Sequence, residues 1–409
     1  MKACMVIPSY WGRESTAGWL EGDAVYDHPT PLDGEGTLAR AIRSLSVLEE
    51  KDFELIVMAA AVAPDIQAEV EEQVVRLLET VEVDVKTIFF SHSHLAGIHD
   101  VLRSAGREDF NGLLQLRGYS NIRNLCLFLP HILGGEAAVL IDDDEVFEDP
   151  LFMNKAREFI GQEVEGRLVS AVAGYYLQPD GGYHVERPFK PWMRYWDKFA
   201  RLNEGHQAII GSEPRLKTTP FVFGGNMVVH ASLFRVIPFD PRITRGEDID
   251  FLLNARMFGF DFLLDNQLAI KHLPPPKPHP TWKGLREDIY RFVYERAKIR
   301  SQKRMPGMTM VAPEDLDPYP GCFLKSDLEE KISRACQLLA LEYLAQGEPE
   351  SAGEALNNIQ LAFTEAVPAS DPFLGLLDLQ KRWREMMEFT GAGEIRGKLA
   401  GIISGNRVK

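Results

Sequence analysis

Over the first 280 residues, apolar positions fall in short runs separated by polar stretches of helical spacing. Residues 2–8 (KACMVIP) read as a buried strand ending at Pro8, with Ser9 to Gly12 as a turn. Residues 13–36, rich in Gly, Pro, Asp and Glu, read as a long loop, which in a compact domain is often functional. Leu38, Ile42, Leu45 and Leu48 then mark an amphipathic helix over 37–48. FELIVMAAA (53–61) reads as a second strand, Pro64 opens a helix running to about Val81, and VEVDVKTIFFS (81–91) reads as a third strand. Alternating strands and helices predict a parallel sheet with right-handed crossovers.

Ser120 is placed to cap the next helix, whose apolar face is Ile122, Leu125, Cys126, Leu129, Ile132 and Leu133 and which Gly134-Gly135 close. That helix feeds an apolar run, Ala137 to Ile141, that ends in Asp142, Asp143 and Asp144 with Glu145 behind them. LVSAVAGYY (168–176) reads as a strand, residues 178–220 as irregular, and TPFVFGGNMVVH (219–230) as a strand, a glycine break and another strand. FLLNARMFGF (251–260) is helical, and a strand follows that ends at His272 before the proline stop LPPPKPHP. From Trp282 the pattern turns helical, at 283–300, 326–347, 350–366 and 373–389. The division predicts an α/β domain over residues 1–280 and a C-terminal helical extension over 281–409.

The totals narrow the class. The chain has 409 residues, 45% hydrophobic and 26% charged, as expected of a globular protein rather than a disordered one. A net charge of −15 argues against a general nucleic-acid binder. Cys4, Cys126, Cys322 and Cys336 are too scattered for a disulfide framework or a zinc pattern, which favours a reducing compartment. No run of 18 apolar residues is present and the N-terminus lacks a signal-like segment, so a cytoplasmic protein without a transmembrane segment is expected.

Four segments and one histidine carry chemistry. Three carboxylates crowded at a strand end repel one another unless a cation neutralises them, and hard oxygen ligands suit Mg²⁺ or Mn²⁺. If the chain stays extended, alternation turns Asp142 and Asp144 to one side and Asp143 away. The loop from Arg117 through Gly118 to Arg123 and Asn124 enters a helix, where backbone amides, the positive helix end and an arginine attract phosphate. Gly224-Gly225-Asn226 within a β-like run implies a close backbone approach. Glu247 and Asp248 at a helix start either cap it or bind an acceptor hydroxyl and remove its proton. His272, at a strand end, is either structural or a metal ligand.

In this order the segments resemble the nucleotide-sugar glycosyltransferases of GT-A fold, especially those of the glycosyltransferase-two type. The resemblance rests on Val6-Ile7-Pro8-Ser9-Tyr10, Gly118 to Asn124, Asp142-Asp143-Asp144, Gly224-Gly225-Asn226, Glu247-Asp248 and His272, and spans about residues 2–280. It implies a Rossmann-like, mostly parallel sheet flanked by helices, a nucleotide-diphosphate sugar donor and a Mn²⁺ or Mg²⁺ cofactor. It places Asp144 and His272 on the metal, Asp142 on the nucleotide ribose or the metal, and Asp143 beside it at the nucleotide. Pro8 and Tyr10 would line the nucleotide, Gly118, Arg123 and Asn124 the donor phosphates, and Gly225 and Asn226 the sugar or acceptor. Asp248 would be the general base of an inverting enzyme, with Glu247 orienting the acceptor. Family members usually carry an aspartate pair after the second strand. Here that place reads Val57-Met58-Ala59-Ala60-Ala61, so the base must be recognised differently, and Asp23, Asp27 and His28 of the long loop could supply the contacts.

The basic, aromatic block 183–217 suggests a carbohydrate or small anionic acceptor, with Arg187, Trp192 and Trp196 as its ligands. A homo-oligomeric contact through the C-terminal helices is a further expectation. Three alternatives stand beside this reading. A retaining GT-A synthase of a glycosylated small acid such as glycerate would share the acidic motif and histidine. A sugar-nucleotide nucleotidyltransferase would need a glycine-rich, basic loop after the first strand, and Ser9-Tyr10-Trp11-Gly12-Arg13 matches that poorly. A non-catalytic helical interaction protein with a degenerate domain would lack the acidic ligands that this chain retains.

Overall fold

A computed structural model of the chain describes residues 1–82, 84–276 and 279–405. Val83 in the predicted third strand, Lys277 and Pro278 in the proline stop, and residues 406–409 of the helical extension lie outside the described residues. The chain opens with β1 (Ala3–Gly12), passes a two-residue β2 (Thr30–Pro31) and α1 (Leu38–Ser44), and continues through β3 (Glu54–Ala61), α2 (Gln67–Thr80), β4 (Lys86–Phe90) and α3 (His92–Ser104). Next come α4 (Tyr119–Leu133), β5 (Ala137–Leu140), β6 (Glu145–Val146), α5 (Phe152–Glu158), a small hairpin of β7 (Glu163–Val164) and β8 (Arg167–Leu168), and β9 (Ala171–Leu177). Then follow α6 (Lys198–Ile209), β10 (Leu216–Thr218), β11 (Met227–His230), α7 (Ala231–Phe234), α8 (Glu247–Met257) and β12 (Leu263–His272).

The large sheet has the order β10-β12-β9-β11-β5-β1-β3-β4. Strands β5, β1, β3 and β4 run parallel, β11 runs antiparallel between β5 and β9, and β12 returns parallel to β9. The expected mostly parallel sheet flanked by helices is thus present.

Strand β1 is buried along all ten residues, as suits a central strand covered on both faces. It does not end at Pro8, and Ser9 to Gly12 are strand rather than turn. The carbonyl of Val6 accepts from Ile141, so by alternation Pro8 faces the same side, beyond the end of β5. No ladder bond is needed there, so the missing N–H costs nothing. Three other boundaries differ from the sequence reading. Residues 178–220 contain α6, capped by Asp197, whose carboxylate accepts from the Ala200 amide. The first predicted strand of 219–230 is extended coil. The predicted third strand shortens to Lys86–Phe90.

From residue 281 the chain is helical, in α9 (Thr281–Ser301), α10 (Leu328–Ala345), α11 (Pro349–Phe363), α12 (Pro372–Thr390) and α13 (Gly393–Ser404). One continuous apolar core joins these helices to the sheet. Helix α9 is fastened by charge as well. Its Lys298, fully buried, donates to Asp250 (2.6 Å) and Asn254 (2.9 Å) of α8. Trp383 of α12 donates to the Phe234 carbonyl (2.8 Å). Among the described residues no helix is long and apolar enough to cross a membrane.

Candidate functional site

The site forms where β5 and β12 end. Strand β6 pairs antiparallel with β12, setting Glu145 opposite His272, and the Leu273 amide donates to the Asp144 carbonyl (2.9 Å). This clamp brings His272 Nε2 to 3.3 Å from Asp144 Oδ2. The triplet lies in a turn, so the alternation expected of an extended chain does not apply. Asp142, Asp143 and Asp144 all line one cavity of about 490 Å³. Asp143 is buried rather than turned away, and it accepts the Ser9 hydroxyl (2.6 Å).

Four neighbouring acids share too little water. Burial, then the Asp144 charge, pushes the Asp143 carboxyl up to about 8. Burial also raises Asp142, against the pull of Arg123, and holds Glu145 well above the usual carboxylate range. At Asp144 burial is outweighed by the hydrogen bond and charge of His272, and its pKa is lowered. The cluster therefore accommodates negative charge unevenly, with Asp144 the member that stays ionised most readily.

Arg123 of α4 is 2% exposed, and its guanidinium donates to Asp142 (2.7 Å) and Glu247 (3.3 Å). It ties the acidic turn to the start of α8 and lines the cavity between them. The start of α4 itself is closed. Gly118, at a φ of +84°, donates its amide to the Tyr26 hydroxyl (2.9 Å). Ser120 sits inside the helix rather than capping it and donates its hydroxyl to the Ile243 carbonyl. Asn124 clamps the Phe239 backbone through both its amide atoms. Gly118 and Asn124 therefore lie off the cavity wall, as does Pro8 within β1.

Gly224 faces the cavity, while Gly225 and Asn226 stand behind it. The Gly225 amide donates to the Tyr176 hydroxyl (2.9 Å), and buried Asn226 donates to the Tyr175 and Leu268 carbonyls (both 3.0 Å). Tyr10 also lines the cavity, although only 6% exposed, packed on Tyr26 and Tyr119.

At the far wall, Gly246 caps α8 with a left-handed φ of +73°. A Cβ there would stand 2.1 Å from Arg291 Nη1, so this position requires glycine on two counts. Glu247 is buried, and burial followed by the Asp248 charge raises it to about 7. Asp248 is partly exposed to the cavity, with Oδ2 accepting from the Gly224 amide (3.0 Å) and Oδ1 from the Ile249 amide (2.8 Å). A carboxylate so oriented can accept a further hydrogen bond from a bound hydroxyl.

Several wall residues were not singled out in the sequence. Arg245 grips Asp27 of the long loop through two bonds of 3.0 Å, and Asp288, Arg291 and Tyr319 reach the wall from beyond residue 280. Arg245 directly precedes the Gly246-Glu247-Asp248 motif, which was the available signal. Of the three loop residues, Asp27 and His28 line the cavity, whereas Asp23 is held by Arg13 (2.9 and 3.0 Å). A second cavity, of about 470 Å³, adjoins the first and shares Arg187, Lys198, Phe199, Arg245, Asp27 and Asp288 with it. Trp192 and Trp196 form part of its base and are themselves 8% and 3% exposed, Trp196 packing on Phe292 and Phe323.

No protein-family model matches the chain. No curated protein matches it either. Among solved structures it is similar to the mannosyltransferase PcManGT from Pyrobaculum calidifontis in complex with GDP-Man and Mn²⁺, at 13% identity and a TM-score of 0.45, covering 95% of this chain and 86% of that one. It is also similar to GalNAc-T7 with UDP, GalNAc and Mn²⁺ (11% identity, TM-score 0.35, 76% of this chain and 53% of that one). Mouse xyloside xylosyltransferase 1 in its apo form is a third (11%, 0.27, 56% and 67%).

Proposed function

We propose that the protein is a metal-dependent glycosyltransferase, moving a sugar from a nucleotide-diphosphate sugar to a hydroxyl acceptor. The observation that carries the reading is one cavity walled by the Asp142–Asp144 turn and His272 on one side and Glu247-Asp248 on the other. The residues fit a divalent cation. Among the described residues no three His, Cys, Asp or Glu side chains already stand at metal-ligating spacing. Asp144 and His272, 3.3 Å apart on the cavity wall, would supply two protein ligands to such a cation, and the donor's phosphate oxygens would supply others. When bound, Mn²⁺ or Mg²⁺ neutralises charge on the departing diphosphate.

The chain's own groups do the rest. Arg123 holds Asp142 and Glu247 in place, and Glu247 orients the acceptor. Asp248 accepts the acceptor hydroxyl's proton as the acceptor oxygen bonds to the sugar's anomeric carbon and the bond from that carbon to the diphosphate breaks. The nucleoside diphosphate leaves with the bonding pair. The α/β portion over 1–280 is proposed as the catalytic domain, with wall residues contributed from the helices that follow.

A panel of nucleoside diphosphates and nucleotide-sugars, with and without Mn²⁺, tests this by thermal shift, since ligands of the native state raise its melting temperature. At least one is expected to shift the protein only when metal is present. No metal-dependent shift with any of them overturns the reading.

A further inference from the structure

The second cavity has a chemistry of its own. Of the three cations on the wall between the cavities, two are already paired. Lys198 donates to both oxygens of Asp288 (2.8 and 2.9 Å), and Arg245 to Asp27 and Asp288. Arg187 forms no salt bridge among the described residues, and its guanidinium carbon stands over Phe199, 4.1 Å from the ring centroid. With no carboxylate in salt-bridge range, the guanidinium donors can serve a ligand. Partial burial and the nearby Arg245 charge lower the Arg187 pKa and the Asp27 charge offsets only part of this, so a further anion there would be favoured.

The rest of the wall is mixed, with Lys190, Asp197, Thr281 and Glu287 beside an apolar side. Trp192, Met193, Trp196, Pro188 and Leu285 line it beside the arginine. The neighbouring surface continues this character. Phe189, between two lining residues, is 67% exposed, and Trp19, 46% exposed, lies on Lys283 next to the lining residue Gly284. Large exposed aromatics at the edge of a cavity with one unpaired cation suit an amphiphile better than a neutral glycan.

We infer that this cavity is the acceptor subsite for an amphiphilic anion. A phosphate or carboxylate sits on Arg187, an apolar group covers the tryptophan and methionine wall, and the reacting hydroxyl points through the shared wall toward Asp248. The inference rests on the transferase reading for its last clause alone. The binding site itself stands on Arg187 and the apolar wall.

Calorimetric titration with octyl phosphate tests it, with octanoate, inorganic phosphate and octanol as controls. Octyl phosphate and octanoate are expected to bind more tightly than either inorganic phosphate or octanol. Arg187→Gln, at an exposed position that does not threaten the fold, should weaken both by about tenfold or more. Met193→Gln should weaken octyl phosphate while sparing inorganic phosphate. The titration is run alone and again with the nucleoside diphosphate and Mn²⁺ that give the largest thermal shift, and binding should persist in both. Equal binding of octanol, no effect of Arg187→Gln, or displacement by the nucleotide overturns the inference. If no nucleotide binds at all, the transferase reading fails while the first titration still decides the site. Co-sedimentation with phosphatidylcholine vesicles containing phosphatidic acid assigns the anion to a lipid headgroup. Binding of octyl phosphate without sedimentation assigns it to a free amphiphile.

Discussion

A methyl group on Gly225 would stand 2.2 Å from Glu145 Oε1 and 2.7 Å from Asp142 Oδ2. Neither oxygen can retreat easily, because Glu145 also accepts the Asp142 amide (3.0 Å) and Asp142 is held by Arg123. Gly225→Ala should therefore cost about 1–3 kcal/mol, the range for overpacking, and also weaken metal-dependent nucleotide binding. Urea melts and the thermal-shift panel measure the two effects. A loss of stability with unchanged binding would show that Gly225 serves the strand and not the acidic turn. The proposed roles on either side of the cavity separate in the same assay. Asp144→Ala should remove the Mn²⁺-dependent nucleotide shift. Asp248→Ala should keep that shift and lower transfer by roughly 10²-fold or more, as loss of a general base does. If Asp248→Ala abolishes nucleotide binding instead, the carboxylate belongs to the donor side.

Among the elements, the 13–36 loop shapes the site most. It leaves β1 at Arg13, which grips Asp23 and Asp65, and Ala24 donates to the Val62 carbonyl at the end of β3. It then buries Tyr26 between Tyr10 and Tyr119 and ends on β2, paired with Trp11 and Gly12. The loop thus covers the ends of β1 and β3 and closes the α4 start with one hydroxyl. Tyr26→Ala should cost about 3–5 kcal/mol, as aromatic truncation in a core does, and should expose residues 13–36 to limited proteolysis. Proteolysis at the wild-type rate would mean that the loop is held by its ion pairs instead. The sequence showed the loop and the acidic residues in it, but not what it covers. Tyr26 and Gly118 are 92 residues apart, and no local pattern announces such a contact. The same distance hides why α4 starts at Tyr119, because Ser120 spends its hydroxyl on Ile243. By contrast, runs with their own periodicity were legible. The apolar run into Asp142, the strand ending at His272 and four C-terminal helices stand close to where the pattern put them, α13 being the one not foreseen.

At the scale of the whole molecule the sheet and the C-terminal helices share one core, so removal of residues 281–409 should leave an insoluble remainder, judged by the soluble fraction on expression. Buried Asp250 would lose Lys298, its cationic partner, and an unpaired buried charge is strongly destabilising. Two buried histidines make stability depend on pH, and one of them, His131, contacts a C-terminal helix. His131 Nε2 bonds the Met387 carbonyl of α12 (2.8 Å), and His206 Nδ1 bonds the Tyr183 carbonyl (2.8 Å). Burial lowers each to about 4, against an ordinary value of 6.5. Between these values the unfolded chain binds more protons than the folded one, so stability rises with pH across that window. Each histidine's contribution is complete above 6.5 and is lost as pH falls toward 4. It amounts to on the order of 3 kcal/mol at most. The raised acids of the site act with the opposite sign, so the measurement that isolates the effect is the difference between wild type and variant. His131→Gln should be less stable than wild type at pH 7.5 in urea, and the gap should narrow steadily between pH 6.5 and 4.5. A gap independent of pH would mean that His131 titrates alike in the folded and unfolded chain and that its contact with α12 is a surface bond rather than part of the core.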